Sequence, residues 1–319
     1  MPRHLRAILL LAVLCSLAGF ACTAHAGYAA IVVDGSTGQV LQQVNADQRD
    51  YPASLTKMMT LYLTFEGLKS GRLRLDQQMP VSAWAASKAP TKLGLLAGQT
   101  ISVQDCILGM ITKSANDAAT VMAEGIGGSE SHFADMMDAQ AALLGMADTH
   151  FANASGLPDP NNTSTAHDLV KLAMALYRDF PQYAHFFATH EFVFRGRIVR
   201  GHNNLMYRYP GMDGLKTGFT DASGFNLAST AVRDGHRLFA VVLGSRTAAR
   251  RDNLMARLLD DCFNGEHTPP ILVAEAADVR RGRRTTAHRA RHVATRLATR
   301  HPRNRKQPVV VASRRNTDS

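Results

Sequence analysis

Three short segments of this 319-residue chain carry residue types that can do covalent chemistry together. The first is Ser54-Leu55-Thr56-Lys57, directly after Pro52-Ala53. Residues three apart on a helix share a face, so Lys57 stands one turn above Ser54 and can take its proton. A serine hydroxyl is a weak nucleophile until a base accepts that proton, and a lysine can do so at neutral pH only if its pKa is lowered. The proline suits a helix start, where free backbone N–H groups can stabilise negative charge. The second segment, Ser114-Ala115-Asn116, sits between an apolar helical stretch and a polar one. The third, Lys216-Thr217-Gly218, ends a strand-like run: a glycine lets an extended ligand approach the backbone, beside a fixed cation and a hydroxyl. Taken singly, each has an ordinary structural reading: a helix start with an exposed lysine, an N-cap, and a strand running into a turn.

The elements that must position these segments follow from periodicity and punctuation. Tyr28 to Asp34 and Gln39 to Asn45 read as a hairpin around Gly35-Ser36-Thr37-Gly38. Helical patterns then cover Ser54 to Glu66, Val103 to Thr112, Asn116 to Ile126, Ser131 to Leu144 and Ala166 to Tyr177. Strand patterns return at Phe192 to Arg200, Gly214 to Thr217, Phe225 to Arg233 and Arg237 to Gly244, and a helix over Ala248 to Cys262 closes the body. Strands at both ends with helices between them predict an α/β (α+β) fold, in which an antiparallel sheet completed by both termini is flanked by helices and carries an inserted helical lobe.

Composition bounds the rest. Met1 to Ala26 has basic Arg3 and Arg6, an apolar run from Ala7 to Phe20, and Ala24-His25-Ala26 as a cleavage site, so it reads as a signal peptide with the mature chain beginning at Gly27. The expected organisation is a signal at 1–26, one catalytic domain at 27–263, and a Pro-containing link with a basic, disordered tail at 264–319. Cys106 and Cys262 alone would remain after cleavage, so no disulfide framework is implied. Residues 280–319 hold thirteen Arg and Lys against the single acid Asp318, a net +12 that exceeds the +10 of the whole chain. The basic balance is thus a property of the tail, and it argues against specific nucleic-acid binding by the body. His288 and His292 are one helical turn apart, but the surrounding arginines disfavour a metal cation, so neither a metal nor another cofactor is expected.

In this order, the three chemical segments form the signature shared by class A β-lactamases and penicillin-binding proteins. Their contexts, Tyr51-Pro52-Ala53-Ser54-Leu55-Thr56-Lys57-Met58-Met59-Thr60, Asn153-Ala154-Ser155-Gly156-Leu157-Pro158-Asp159 and Asp213-Gly214-Leu215-Lys216-Thr217-Gly218-Phe219-Thr220, resemble the low-molecular-weight, serine-type D-alanyl-D-alanine carboxypeptidase family. The likeness runs from about Tyr28 to Phe263 and implies a serine β-lactamase-like fold. It also implies Ser54 as nucleophile, Lys57 as its base, and Ser114 and Asn116 lining the cleft. Lys216 and Thr217 would meet the substrate carboxylate, with the N–H groups of Ser54 and Phe219 beside Gly218 as oxyanion hole. A carboxylate-binding arginine is expected at Arg251, with Arg250 as the rival. The implied partners are peptidoglycan stem peptides and β-lactam antibiotics, in the periplasm or cell envelope, with the tail contacting an anionic membrane or wall polymer.

Two departures from the family stand out: Phe219 where some members have a polar residue, and Ser155 where some have His. A β-lactamase would need a deacylating group, commonly a glutamate, and the loop from His150 to Thr165 has none. A DD-endopeptidase acting on cross-links would use the same residues on a longer substrate. A non-catalytic wall-binding protein is the remaining alternative.

Overall fold

The structure is a computed structural model and describes residues 28–277. The expected signal peptide and the basic tail from 278 onward lie outside the described residues. Strands β1 (Ala29–Asp34) and β2 (Val40–Val44) form the expected antiparallel hairpin. The chain then leaves the sheet to build the helical lobe. A 3-10 turn, Ala53–Thr56, leads into α1 (Lys57–Lys69), so the Ser54 segment straddles a tight turn and the first residue of a helix. After β3 (Gln78–Pro80), α2 (Ala83–Ser87) and β4 (Thr100–Ser102), helix α3 (Val103–Leu108) widens into one π turn, Gly109–Lys113. Helices α4 (Asn116–Gly127), α5 (Glu130–Leu143) and α6 (Ala166–Asp179) complete the lobe. Helices α2, α3, α5 and α6 begin at Ser82, Ser102, Ser129 and Thr165, whose side chains accept from the N–H three residues on.

The segment that reads as one strand from Phe192 to Arg200 is a hairpin, β5 (Glu191–Phe194) and β6 (Arg197–Arg200). Arg195 and Gly196 both have positive φ, 49° and 77°, the geometry of a two-residue turn matching strand twist. Strands β7 (Met212–Thr220), β8 (Gly224–Arg233) and β9 (His236–Ser245) then finish a five-stranded antiparallel sheet of order β2-β1-β9-β8-β7. The first hairpin lies at one edge and β7, with the Lys216 segment, at the other.

Both faces of this sheet are covered, which is why β1 and β9 read as nearly continuous apolar runs. Ile31, Val33, Phe239, Val241 and Leu243 point into the core shared with the helical lobe. The alternating set, Ala30, Val32, Leu238, Ala240 and Val242, packs with Leu254, Met255, Leu258 and Leu259 of helix α7 (Ala248–Phe263). The stretch after Asn264, expected to be only a link, forms a further helix, α8 (Pro270–Ala277), with Val273 and Ala276 buried in that second core. A proline at the first position of a helix costs no hydrogen bond, so Pro270 opens this turn where the sequence reading took proline as an interruption. Cys106 lies in the first core and Cys262 against the second, and both are free thiols.

The lobe core is organised around Phe65 of α1, fully buried, with the rings of Phe180, Tyr183, Phe186 and Phe187 at centroid distances of 5.9, 5.2, 6.4 and 6.0 Å. This packing sets where α1, and hence Ser54, stands. Phe65→Ala is expected to lower unfolding stability by about 3–5 kcal/mol, read as a reduced urea midpoint with unchanged slope.

Candidate active site

Four chain segments converge at the junction of sheet and lobe. The turn carrying Ser54 is pressed against β7 at Gly218, where a Cβ would stand 2.9 Å from the Pro52 carbonyl oxygen and 3.3 Å from the Ser54 nitrogen. Asn226 of β8 fastens the same turn to the sheet: its Nδ2 donates to the carbonyls of Tyr51 and Pro52 at 2.9 and 3.2 Å, and its Oδ1 accepts from Gly244 N–H. Ala53, just before the serine, has φ of 49°, a conformation uncommon for a residue with a side chain and stabilised only by such surrounding contacts.

Beneath Ser54 the Lys57 amine is fully buried. Its Nζ lies 3.0 Å from Ser54 Oγ, 2.7 Å from Asn116 Oδ1 and 2.6 Å from the Ser155 carbonyl oxygen. Burial pushes its pKa well below the usual lysine value; the positive charge of Lys216 adds to this, and Asp117 opposes it. A neutral amine keeps one lone pair, which can accept the Ser54 proton, while its N–H bonds remain directed at Asn116 and Ser155.

Ser114 follows the π turn in the left-handed conformation, φ 60° and ψ 36°. Its buried hydroxyl has no hydrogen-bond partner among the described residues and lines the cleft. Asn116 begins α4, with its Nδ2 donating to the Ala89 carbonyl at 2.9 Å. Lys216 is 1% exposed, and its Nζ donates to the Thr217 carbonyl at 2.8 Å. Burial, then the nearby Arg251 charge, lowers its pKa to about 7. Thr217, Gly218 and Phe219 face the cleft, and Phe219 packs at its rim against Phe225, 4.3 Å between ring centroids and tilted by 33°. Arg251 also lines this cleft and is held by Asp252 Oδ1, at 2.9 Å from Nε and 2.6 Å from Nη2. The rival Arg250 is turned outward, its Nη1 donating to the Glu275 carbonyl of α8. Ser54, Ser114, Asn116, Thr217, Gly218, Phe219 and Arg251 line a cavity of about 320 Å³, with the amine of Lys57 buried behind Ser54 and Asn116 and that of Lys216 behind Thr217.

Several participants escaped the sequence reading. Asp117, fully buried, accepts from the N–H groups of Leu93, Gly94 and Leu95, pinning the loop that brings Pro90 and Thr91 to the cleft. Its place directly after Asn116 was the only available signal. Ser155 contributes its carbonyl, a role blind to side-chain identity. Its loop is locked by Asn153 Oδ1, which accepts from Ser155 and Gly156 N–H at 3.1 and 2.8 Å. His202 also lines the cleft, and burial together with Lys216 and Lys113 lowers its pKa to about 4, so it is neutral near pH 7. No motif pointed to it. From α5, Glu130 accepts from Ala154 N–H while also binding Lys88 and the Trp84 indole N–H.

A serine hydroxyl on a buried, charge-depleted amine, with backbone N–H groups beside it and cations beyond, is the arrangement of serine acyl-transfer enzymes. Sequence comparison agrees with that class. Residues 19–247 match the family described as D-alanyl-D-alanine carboxypeptidase, peptidase S11, and the chain belongs to it. It is 33% identical over 253 residues to the D-alanyl-D-alanine carboxypeptidase DacF of Bacillus subtilis, covering 78% of this chain and 65% of that one. It is 36% identical over 243 residues to DacD of Escherichia coli, covering 74% and 62%. The chain thus spans less than two thirds of the length of these two curated relatives. Among solved structures it is similar to Penicillin-Binding Protein D2 of Listeria monocytogenes in the ampicillin bound form, with a TM-score of 0.64, 32% identity, and coverage of 74% of this chain and 96% of that one. The fold is that of the penicillin-binding proteins, as the sequence reading expected.

The two buried lysines predict a bell-shaped pH dependence for second-order acylation of the protein by penicillin. The rate rises as Lys57 loses its proton and falls above about 7 as Lys216 loses the charge that would meet a carboxylate. Arg251→Ala removes the like charge beside Lys216, so the basic limb is expected at higher pH; an unmoved limb would assign it to another group. Gly156 has φ of 75°, and a Cβ there would meet the Ala53 carbonyl oxygen at 1.8 Å. Gly156→Ala must therefore displace the Ser155 loop, and is expected to slow acylation at least tenfold while the far-ultraviolet spectrum is retained.

Proposed function

We propose that this protein is an exported serine D-alanyl-D-alanine carboxypeptidase that trims peptidoglycan stem peptides and is acylated by β-lactams. The observation that carries the reading is the Lys57 amine held 3.0 Å from Ser54 Oγ, in a site that disfavours its protonation. Lys57 takes the Ser54 proton as Oγ attacks the carbonyl between the two terminal D-alanines. The N–H groups of Ser54 and Phe219 hold the developing oxyanion. Ser114 relays a proton to the leaving amine, the C–N bond breaks, and the terminal D-alanine departs. Water then attacks the acyl-enzyme, giving up a proton as Ser54 regains its own. Lys216, Thr217 and Arg251 bind the terminal carboxylate, a guanidinium being suited to bidentate pairing. Against a β-lactamase stands the lack of glutamate between His150 and Thr165, together with the commitment of Glu130 to Lys88 and Trp84. Among the described residues no helix is long and apolar enough to cross a membrane, which is consistent with a peripheral protein of the envelope.

Ser54→Ala is expected to abolish both peptide cleavage and covalent penicillin labelling, and Lys57→Ala to slow acylation by about 10²–10⁴. Persistent labelling of the Ser54 variant would overturn the assignment. A pentapeptide ending in a free carboxylate should be preferred over its C-terminal amide, with the preference reduced in Arg251→Ala. Equal cleavage of acid and amide, with release of monomers from a cross-linked dimer, would favour an endopeptidase. The +12 segment 280–319 is proposed to contact anionic membrane or wall polymers, each basic residue adding about 1 kcal/mol before screening. A chain ending at Asp278 should keep activity on soluble peptide and lose salt-sensitive binding to anionic vesicles.

A further inference from the structure

Val193 and Ile198 stand opposite each other across the β5–β6 hairpin, and both are largely exposed, at 65% and 64%. Side chains alternate along a strand, so Glu191 and Arg200 share their face, while Phe192 on the opposite face is buried against the body. Arg195 holds the hairpin turn to the lobe: its Nη1 donates to Gln99 Oε1 at 2.6 Å and its Nη2 to the Thr100 carbonyl at 3.4 Å. The same Gln99 oxygen accepts from Leu96 N–H at 3.4 Å. Leu96, 61% exposed, is thereby brought beside the hairpin turn. Segments 96 positions apart thus place three large aliphatic side chains outside the core in one region.

The region is also cationic. The hairpin carries Arg195, Arg197 and Arg200 against the single acid Glu191, whereas residues 27–279 as a whole hold 21 Lys and Arg against 25 Asp and Glu. Arg197 is exposed and, among the described residues, has no hydrogen bond or ion pair. Arg200 shares Glu191 at 3.3 Å, and the Arg195 guanidinium lies over the Phe194 ring, 5.0 Å from its centroid. Exposed aliphatic side chains among arginines, on a body of net negative charge, select a partner that is anionic and apolar at once. An anionic polymer offers no apolar phase to Val193 and Ile198, and a second copy of the chain would set arginine against arginine.

We propose that the β5–β6 hairpin, together with Leu96, is a docking surface for an anionic lipid bilayer. Val193, Ile198 and Leu96 enter the boundary between headgroups and acyl chains, and Arg195, Arg197 and Arg200 meet lipid phosphates. The surface adjoins the cleft: His202, two residues beyond β6, lines it, and its N–H donates to the Thr112 carbonyl at 3.1 Å. Docking therefore holds the cleft close to the headgroups. The contact is small and acts together with the one proposed for segment 280–319, because a chain tethered by either meets the second at high effective concentration. The inference does not depend on which reaction the cleft catalyses.

The test uses the whole mature chain and vesicles of phosphatidylcholine with and without phosphatidylglycerol, read by co-sedimentation at physiological salt. The double variant Val193→Ser/Ile198→Ser is expected to bind the anionic vesicles about tenfold more weakly than the wild type. Arg197→Ala should weaken binding by about fivefold. Penicillin labelling is read in parallel and should be unchanged in each variant, since none of these residues belongs to the cleft. In Ile198→Trp, the added indole emission should shift to the blue on vesicle binding and be quenched by brominated acyl chains. Should the double variant fail to fold, Arg197→Ala and Ile198→Trp carry the test. Unchanged affinity in the folded variants, or an introduced indole that brominated lipid does not quench, would overturn the proposal. An equal loss of binding to lipid-free isolated cell walls would make a polymer the partner and overturn it as well. So would self-association of the wild type that the double variant lacks, which would assign the surface to a second copy of the chain.

Discussion

An uncompensated amine has to be kept out of water beneath a serine, and most of the local architecture answers to that requirement. Lys57 is fully buried, and an ammonium there loses its hydration with another lysine close by. Its partners are a side-chain amide oxygen, a backbone carbonyl and the Ser54 hydroxyl, none of which carries a full negative charge. Asp117, whose charge opposes this shift, spends its oxygens on the N–H groups of the loop 93–95. The site thus organises the amine by hydrogen bonds without supplying the ion pair that would return it to the charged form.

Three supports hold the three partners around one nitrogen. Asn116 is placed by the start of α4 and by the Ala89 carbonyl. The Ser155 carbonyl is placed by a loop that Asn153 closes and that Thr60 of α1 anchors through the Ala154 carbonyl at 2.6 Å. Ser54 is placed by the sheet, through Asn226 and the contact at Gly218. Strained backbone at Ala53 and Ser114 is concentrated where these supports meet, as expected when local conformation is subordinated to a site. Glu130 and Lys88, nearly buried together, couple the Ser155 loop to the stretch before Ala89, so two of the supports share one ion pair.

The cleft has a direction because its cations, Lys216 of β7 and Arg251 of α7, gather at one end of it. Lys216 and Arg251 repel each other, and both are buried. Asp252 engages the guanidinium, whereas among the described residues the Lys216 amine donates to the Thr217 carbonyl alone. That partial compensation leaves positive potential for an incoming carboxylate. Beyond Gly218, toward Thr220, the walls become largely apolar at Leu157 and Pro158. An edge strand with unused backbone groups beside such a cleft is suited to align an extended peptide.

Much of this was written in the sequence. The three chemical segments, their order, the hairpin at the start, the late strands and the closing helix all follow from local rules, because side-chain period and turn residues act over a few positions. What local rules miss is whatever depends on neighbours distant in the chain. The hairpin at Arg195-Gly196 looked like one strand because its residues suit strands on either side of the turn, and α8 looked like a link because proline marks both helix starts and interruptions. Arg250 and Arg251 are adjacent and identical in type, and only the packing of α7 between β9 and α8 turns one into the cleft and the other out of it. The burial that depresses Lys57, the carbonyl of Ser155, the anchoring by Asn226 and the approach of His202 all join residues far apart in the chain, by as many as 175 positions between Asn226 and Tyr51. The residue types needed for the chemistry were therefore determined locally, whereas their protonation, orientation and spacing were decided by tertiary packing, since desolvation and the Coulomb field depend on what surrounds a group in space.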